Sequence, residues 1–346
     1  MNKNYYLIST KTDFLLIGGA ALITYFVVLL INIPKSFDVV FWMFVLAFFV
    51  NSPHFIISYE IFYSSVGEKI LKKKSFLFAG IVVPLILILM IFLGLAFYSK
   101  EVFVGMLLTM FFLVGWHYIK QAYGCFIVYS AGNRVFYNKV EQRLIKYSLY
   151  PLWVFSFLKI FTSTNFKEFW GLKYHFPALL LPFSSIMGIL SLTGISVFLS
   201  IIFIRYWKSK ELPNFTALIP ILAIYVWLSP IFWNEIYFYM IPFFHSLQYF
   251  LFSGAYTKNR IKKSEMGMRG WLVWWGSAFI LGALLFEFIP NILDQFFFFG
   301  NDITPHLFLI SFIFFINIHH YFIDSVIWKG DNPDVREYLK FESNND

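Results

Sequence analysis

Long apolar runs, separated by short polar breaks, set the pattern of this chain. A membrane-crossing helix needs about 20 mostly apolar residues. Runs of about that length or longer lie near 13–33, 37–63, 76–98, 102–130, 178–206, 215–233, 235–256, 271–294 and 303–328, with a shorter one at 147–163 that carries Lys159. The pattern predicts an all-α fold: a polytopic transmembrane helical bundle of about ten spans, with residues 1–346 as a single integral membrane domain. The opening "MNKNYYLISTKT" runs into a full-length first span without a small-residue cleavage site, so no cleavable signal is expected.

The breaks are unequal in charge. Basic residues crowd into alternate ones: Lys3 and Lys11, then "GEKILKKKS", then Arg134 to Lys146, then "RYWKSK", then "KNRIKKSEMGMR", then the tail from Lys329. These hold 21 of the 27 Lys and Arg, against four (Lys35, Lys100, Lys167, Lys173) in the intervening breaks. Positive charge stays on the cytoplasmic side, so both termini are expected there, with a bacterial inner membrane as the expected location. Composition agrees: 59% hydrophobic, 23% aromatic, 13% charged and mean hydropathy +0.70, where soluble domains carry about 25% charged residues. The net charge of +8 then reads as an orientation signal facing membrane lipid, and nucleic acid is not an expected partner. One cysteine, Cys125, excludes an internal disulfide.

Polar residues inside the runs carry the candidate chemistry. Of seven histidines, His175 and His306 fall in or beside connections. The other five are His54 in "NSPHFIISYE", His117 in "GWHYIKQAYG", His245 in "FFHSLQYF", and His319 and His320 in "NIHHYFID". They occupy spans two, four, eight and ten, which run in the same direction. His54, His117, His245 and His320 come 17, 15, 10 and 17 residues after the predicted start of their spans. At ~1.5 Å per residue that spread is roughly 10 Å, so one membrane layer is expected to hold all four. Ionisable groups at such depth face the interior and mark function.

Each histidine has a polar residue about one turn away on its own face: Ser58 for His54, Lys120 and Gln121 for His117, Gln248 and Tyr249 for His245, Asn317 and Asp324 for His320. A metal-bound imidazole gives its other N–H to such a group. His320 is preferred over His319 because Asn317 and Asp324 share its face, while His319 faces Ile316 and Ile323 and is an alternate ligand. The expected metal set is His54, His117, His245 and His320. Ser58, Gln121, Gln248, Asn317 and Asp324 would support it. Lys120, Tyr249 and Asp324 are the candidate catalytic side chains.

Imidazole without thiolate suits iron, copper, zinc or nickel. A non-haem Fe(II) site open to O₂ fits a lipid-embedded position, with copper or haem as alternatives. An apolar small-molecule substrate, polyene or lipid, follows from the surroundings. The Ser52-Pro53-His54-Phe55 stretch and the dispersed histidines resemble the Brp/Blh-type carotene-cleaving dioxygenases. The resemblance implies one iron held by histidines from separate helices, corresponding here to His54, His117, His245 and His320. The chain departs from that family in carrying Phe55 and Ile56 where a glycine-containing run is expected. A transporter or channel using His, Lys120 and Asp324 as ion-relay groups is the main reading from another class. A lipid-modifying transferase without metal is a third.

Overall fold

A computed structural model describes residues 5–31, 38–162, 164–297, 302–329 and 332–343, without the side chains of 40, 44 and 68. Eight helices among these residues are long and apolar enough to cross a membrane, which makes this an integral membrane protein: α1 (Thr10–Leu30), α2 (Phe41–Val66), α3 (Lys74–Ala96), α4 (Lys100–Gly132), α5 (Lys139–Phe161), α6 (Ala178–Ser209), α9 (Gly267–Phe296) and α10 (Leu307–Ile327). Between α6 and α9 lie α7 (Phe215–Leu228), apolar but short, and α8 (Ile241–Ser264), long but too polar to meet the same measure. Each expected run thus holds a helix. The expected limits at 33, 37 and 163 fall outside the described residues.

Several boundaries move for local reasons. Helix α5 begins before the expected 147 because Asn138 and Glu141 form a reciprocal capping box, each side chain accepting the other's backbone N–H. The expected start of α8 at 235 is instead a separate short helix, Glu235–Phe238, capped by Asn234, and α8 opens afterwards with Pro242 in its first turn. Helix α7 stops at Leu228, and Pro230–Phe232 forms a 3₁₀ turn.

Three helices contain a π turn that ends two residues before a proline: Ala47–Asn51 before Pro53, Phe78–Val82 before Pro84, and Leu284–Phe288 before Pro290. Proline has no N–H for the carbonyl four residues earlier, and a π turn frees further carbonyls. In lipid those acceptors need partners inside the protein. In α3 they find them: Tyr63 donates its hydroxyl to Gly80 O at 3.1 Å, and His319 Nε2 lies 2.9 Å from Ala79 O.

Helix α1 breaks differently. Gly18 takes φ 143°, a region closed to most side chains, and a Cβ there would lie 3.1 Å from both Ala223 and Ile219 of α7. The break leaves Ile17 O to accept Gln248 Nε2 of α8 at 2.6 Å. The start of α1 is tied down by Asp13, whose carboxylate accepts Leu7 N, Ile8 N, Ser9 N and the Tyr129 hydroxyl of α4.

Helix α10 is the axle of the bundle. Two thirds of its most apolar window (67%) is buried, against 17% for α6 at the periphery. It packs against α2, α3 and α4. The chain ends meet: β1 (Tyr5–Tyr6) pairs antiparallel with β4 (Glu342–Ser343), so the segments before α1 and after α10 lie at one end of the molecule. A hairpin of β2 (Lys167–Phe169) and β3 (Leu172–Tyr174) turns through Trp170 and Gly171, both with positive φ.

Candidate metal centre

Helices α2, α4, α8 and α10 each deliver one histidine to a common cluster. His54 and His320 bring their Nε2 atoms within 3.1 Å of each other, and His117 and His245 do the same at 3.1 Å. The two pairs interlock: ring centroids are 5.2 Å apart for His54–His245 and 4.9 Å for His117–His320. His54 and His320 are 0% exposed, and His117 and His245 3%.

Hydrogen bonding shows what His54 offers. Its Nδ1 lies 2.9 Å from Asn51 O, and a carbonyl only accepts, so Nδ1 carries the proton and Nε2 turns a lone pair toward the cluster. Ser246 Oγ lies 3.1 Å from the same Nδ1 and donates to Asn51 Oδ1 at 2.9 Å. The Nδ1 atoms of His245 and His320 make no hydrogen bond among the described residues. Packing orients those rings: Tyr118 lies 4.6 Å from His245 and Phe55 4.7 Å from His320. Tyr321 stacks on His117 at 4.8 Å and 28°.

A carboxylate completes the focus. Asp324 Oδ1 accepts the Ser58 hydroxyl, while Oδ2, buried and without a donor among the described residues, points back at the imidazoles, 3.4 Å from His320 Nε2 and 4.0 Å from His117 Nε2. A carboxylate oxygen in an apolar interior is costly unless a positive charge or a ring N–H lies beside it. At metal–imidazole bonds of about 2.1 Å one ion reaches two nitrogens up to about 4.2 Å apart, so each 3.1 Å pair taken by itself lies within a cation's span. His54, His245 and His320 form one group able to hold a metal ion, and His117, His320 and Asp324 another that shares His320.

His319 stands apart. Its Nε2 lies against Ala79 O and its Nδ1 2.9 Å from the Tyr59 hydroxyl, so Nε2 donates its N–H to the carbonyl and Nδ1 accepts from Tyr59. Both ring nitrogens are used, and His319 has no free lone pair for a metal. His175 is exposed beside Phe166, and His306 lies at the start of α10 near Trp170.

The expected polar neighbours are nearby but do other work. Ser58 serves Asp324 instead of His54. Gln121 donates to His245 O and to Gln248 Oε1, and Gln248 reaches Ile17 O, so neither meets an imidazole nitrogen. Asn317 bonds Ile313 O of its own helix and accepts from Tyr321. Same-face spacing found these residues, but helix packing turned them toward other partners. The group actually set on His54 Nδ1 is Ser246, whose place directly after His245 gave no periodic signal. Tyr249 packs its ring 5.0 Å from His54. Lys120 lies 4.3 Å above the Trp116 ring.

Two cavities meet the cluster from opposite ends. One, of about 240 Å³, is walled by apolar side chains including Phe55, Phe111, Trp227 and Phe238 and reaches His245. The other, of about 310 Å³, contains Lys120, Lys146 and Lys329 and reaches His117 and Asp324. Tyr321 lines both. The chain matches no protein-family model, no curated protein and no solved structure.

Proposed function

We propose that this protein is a membrane-embedded, multi-histidine non-haem iron oxygenase acting on an apolar substrate, a polyene or a lipid. The observation that carries the reading is the packing of four buried imidazoles, from four separate helices, into one cluster faced by an unpartnered carboxylate oxygen. His54, His117, His245 and His320 would hold Fe(II), which when bound supplies the activation of dioxygen toward hydrocarbon. Four neutral ligands leave both charges of the ion in a region of low dielectric; the Asp324 carboxylate offsets one of them, and Ser58 fixes its direction.

The remaining residues prepare the surroundings. Phe55, Tyr118, Tyr249 and Tyr321 wall the imidazoles with aromatic rings, which restrains them and keeps water away. The apolar cavity against His245 suits hydrocarbon and dioxygen, both of which leave water for apolar space. Haem fits less well: rings with centroids 4.6 to 5.2 Å apart leave no slot for a porphyrin among them.

The same reading takes all ten helices as spans, with both termini at the cytoplasmic face of a bacterial inner membrane. Pairing of β1 with β4 supports an even number of crossings, and the basic residues gather at the corresponding breaks. Helix α8 is polar because it lines the centre, and its 24 residues span about 36 Å, enough to cross.

Oxygen isotope labelling tests the function. Iron-loaded protein in detergent, given carotenoids and unsaturated lipids under ¹⁸O₂, is expected to yield a product containing ¹⁸O. Across such a panel, no ¹⁸O-containing product from protein that retains iron would count against oxygenation. A second reading draws on the two cavities at opposite ends of the cluster: a carrier with the histidines at its waist. Proton- or metal-coupled flux in proteoliposomes, abolished by His320→Ala, would favour it.

A further inference from the structure

The lysine-bearing cavity has a chemistry that an uncharged hydrocarbon does not use. Lys120, Lys146 and Lys329 sit on three different segments, α4, α5 and the stretch just after α10, yet line one cavity of about 310 Å³. Four basic side chains elsewhere pair with carboxylates: Lys69 with Asp334, Arg205 with Glu141 and Glu211, Lys258 with Glu342, Lys263 with Glu337. None of the three cavity lysines makes a salt bridge among the described residues. Lys120 lies over Trp116 and Lys146 over Tyr147, the latter at 5.7 Å. The carboxylate that lines the same cavity, Asp324, is held by Ser58 and aimed at the imidazoles. Three like charges around one space repel one another and cost stability in a partly buried site unless an anion joins them.

The walls between the lysines are apolar. Ile127, Val128, Phe252 and Trp328 line them, and the inner end reaches His117 and Tyr321. Lys329 is exposed while Lys120 and Lys146 are half-buried, so the charge extends from the mouth inward.

We infer that this cavity binds an anionic amphiphile, its carboxylate or phosphate head paired with Lys120, Lys146 and Lys329 and its hydrocarbon lying along the apolar wall toward His117 and Tyr321. Binding of such a molecule does not depend on the metal. Its identity as the substrate rests on the oxygenase reading, because the hydrocarbon then lies beside the imidazole cluster. Hydrocarbon anchored by its head presents a fixed carbon to the centre, as positioned substrates do generally.

The test uses full-length protein in maltoside detergent, stripped of metal by chelation, with tritiated oleate as the probe. Hexadecyl phosphate, oleyl alcohol and inorganic phosphate serve as competitors. Oleate is expected to bind the wild type. Lys120→Gln, Lys146→Gln and Lys329→Gln are each expected to weaken binding by about tenfold, the effect of losing one charge-assisted contact. Lys329→Arg should retain it. Hexadecyl phosphate should displace oleate if the site takes either head, and failure to do so narrows the head to a carboxylate. Because Lys329 is exposed, its glutamine variant separates lost binding from lost folding.

Three results would overturn the inference: oleyl alcohol competing as well as oleate, inorganic phosphate displacing oleate by itself, or undiminished oleate binding in the triple glutamine variant. Metal retention by the wild type is measured separately. Loss of the iron reading therefore leaves this binding result standing, and the reverse holds.

Discussion

His319 and His320 are neighbours in sequence with opposite tasks. The step of about 100° between successive residues of α10 sends His320 into the four-imidazole cluster and His319 outward to the broken backbone of α3. His320→Ala is expected to abolish metal retention while the protein still inserts; full retention measured by metal analysis would exclude His320 as a ligand. His319→Ala should keep the metal but lower stability by about 1–3 kcal/mol, since Ala79 O and the Tyr59 hydroxyl lose a buried partner. Denaturant titration in detergent checks this, and loss of metal there would move His319 into the centre. His306→Ala, at the far start of α10, should change neither quantity. Helical period in the sequence was enough to favour His320, because Asp324 lies one turn below it. It could not assign Ser58 to Asp324 or Ser246 to His54, because those contacts cross between helices whose relative rotation no local pattern encodes.

At the scale of the element, the prolines matter as much as the apolar runs. Pro53, Pro84 and Pro290 each follow a π turn, and carbonyls freed in α3 are what His319 and Tyr63 satisfy. Prolines are visible in sequence; the π turns before them are not, since the freed carbonyls are stable only with donors brought by other helices. Gly18 is a parallel case. Nothing in "LLIGGAALI" marks its positive φ, which depends on α7 packing close and on Gln248 taking Ile17 O. Gly18→Val should destabilise the protein by about 1–3 kcal/mol through backbone strain, with added cost from crowding against Ala223 and Ile219. A melting curve unchanged from wild type would contradict that. Helix α8 is expected from the apolar run at 235–256, although its centre-lining polar residues and basic last turn keep its hydropathy below that of the longest apolar spans.

For the whole molecule, two independent features agree on sidedness. Basic residues alternate between breaks, and the terminal strands pair at one end. With Cys125 buried and replaced by serine, a cysteine at Arg143 should react only from the cytoplasmic side and one at Lys173 only from the other. Labelling of both from the same side would overturn the proposed topology. The general architecture was legible because lipid imposes length and polarity rules on every span. The clustering of the histidines was legible because ionisable residues within apolar spans are rare enough to stand out. The lysine cavity was hidden, since Lys120, Lys146 and Lys329 belong to separate segments and the latter two read as orientation signals.

The metal content and visible absorption of the purified wild-type protein test the central proposal most directly. About one iron per chain with no Soret band is the expected result. A strong Soret band, or no bound metal after anaerobic reconstitution with Fe(II), would contradict a four-histidine iron centre.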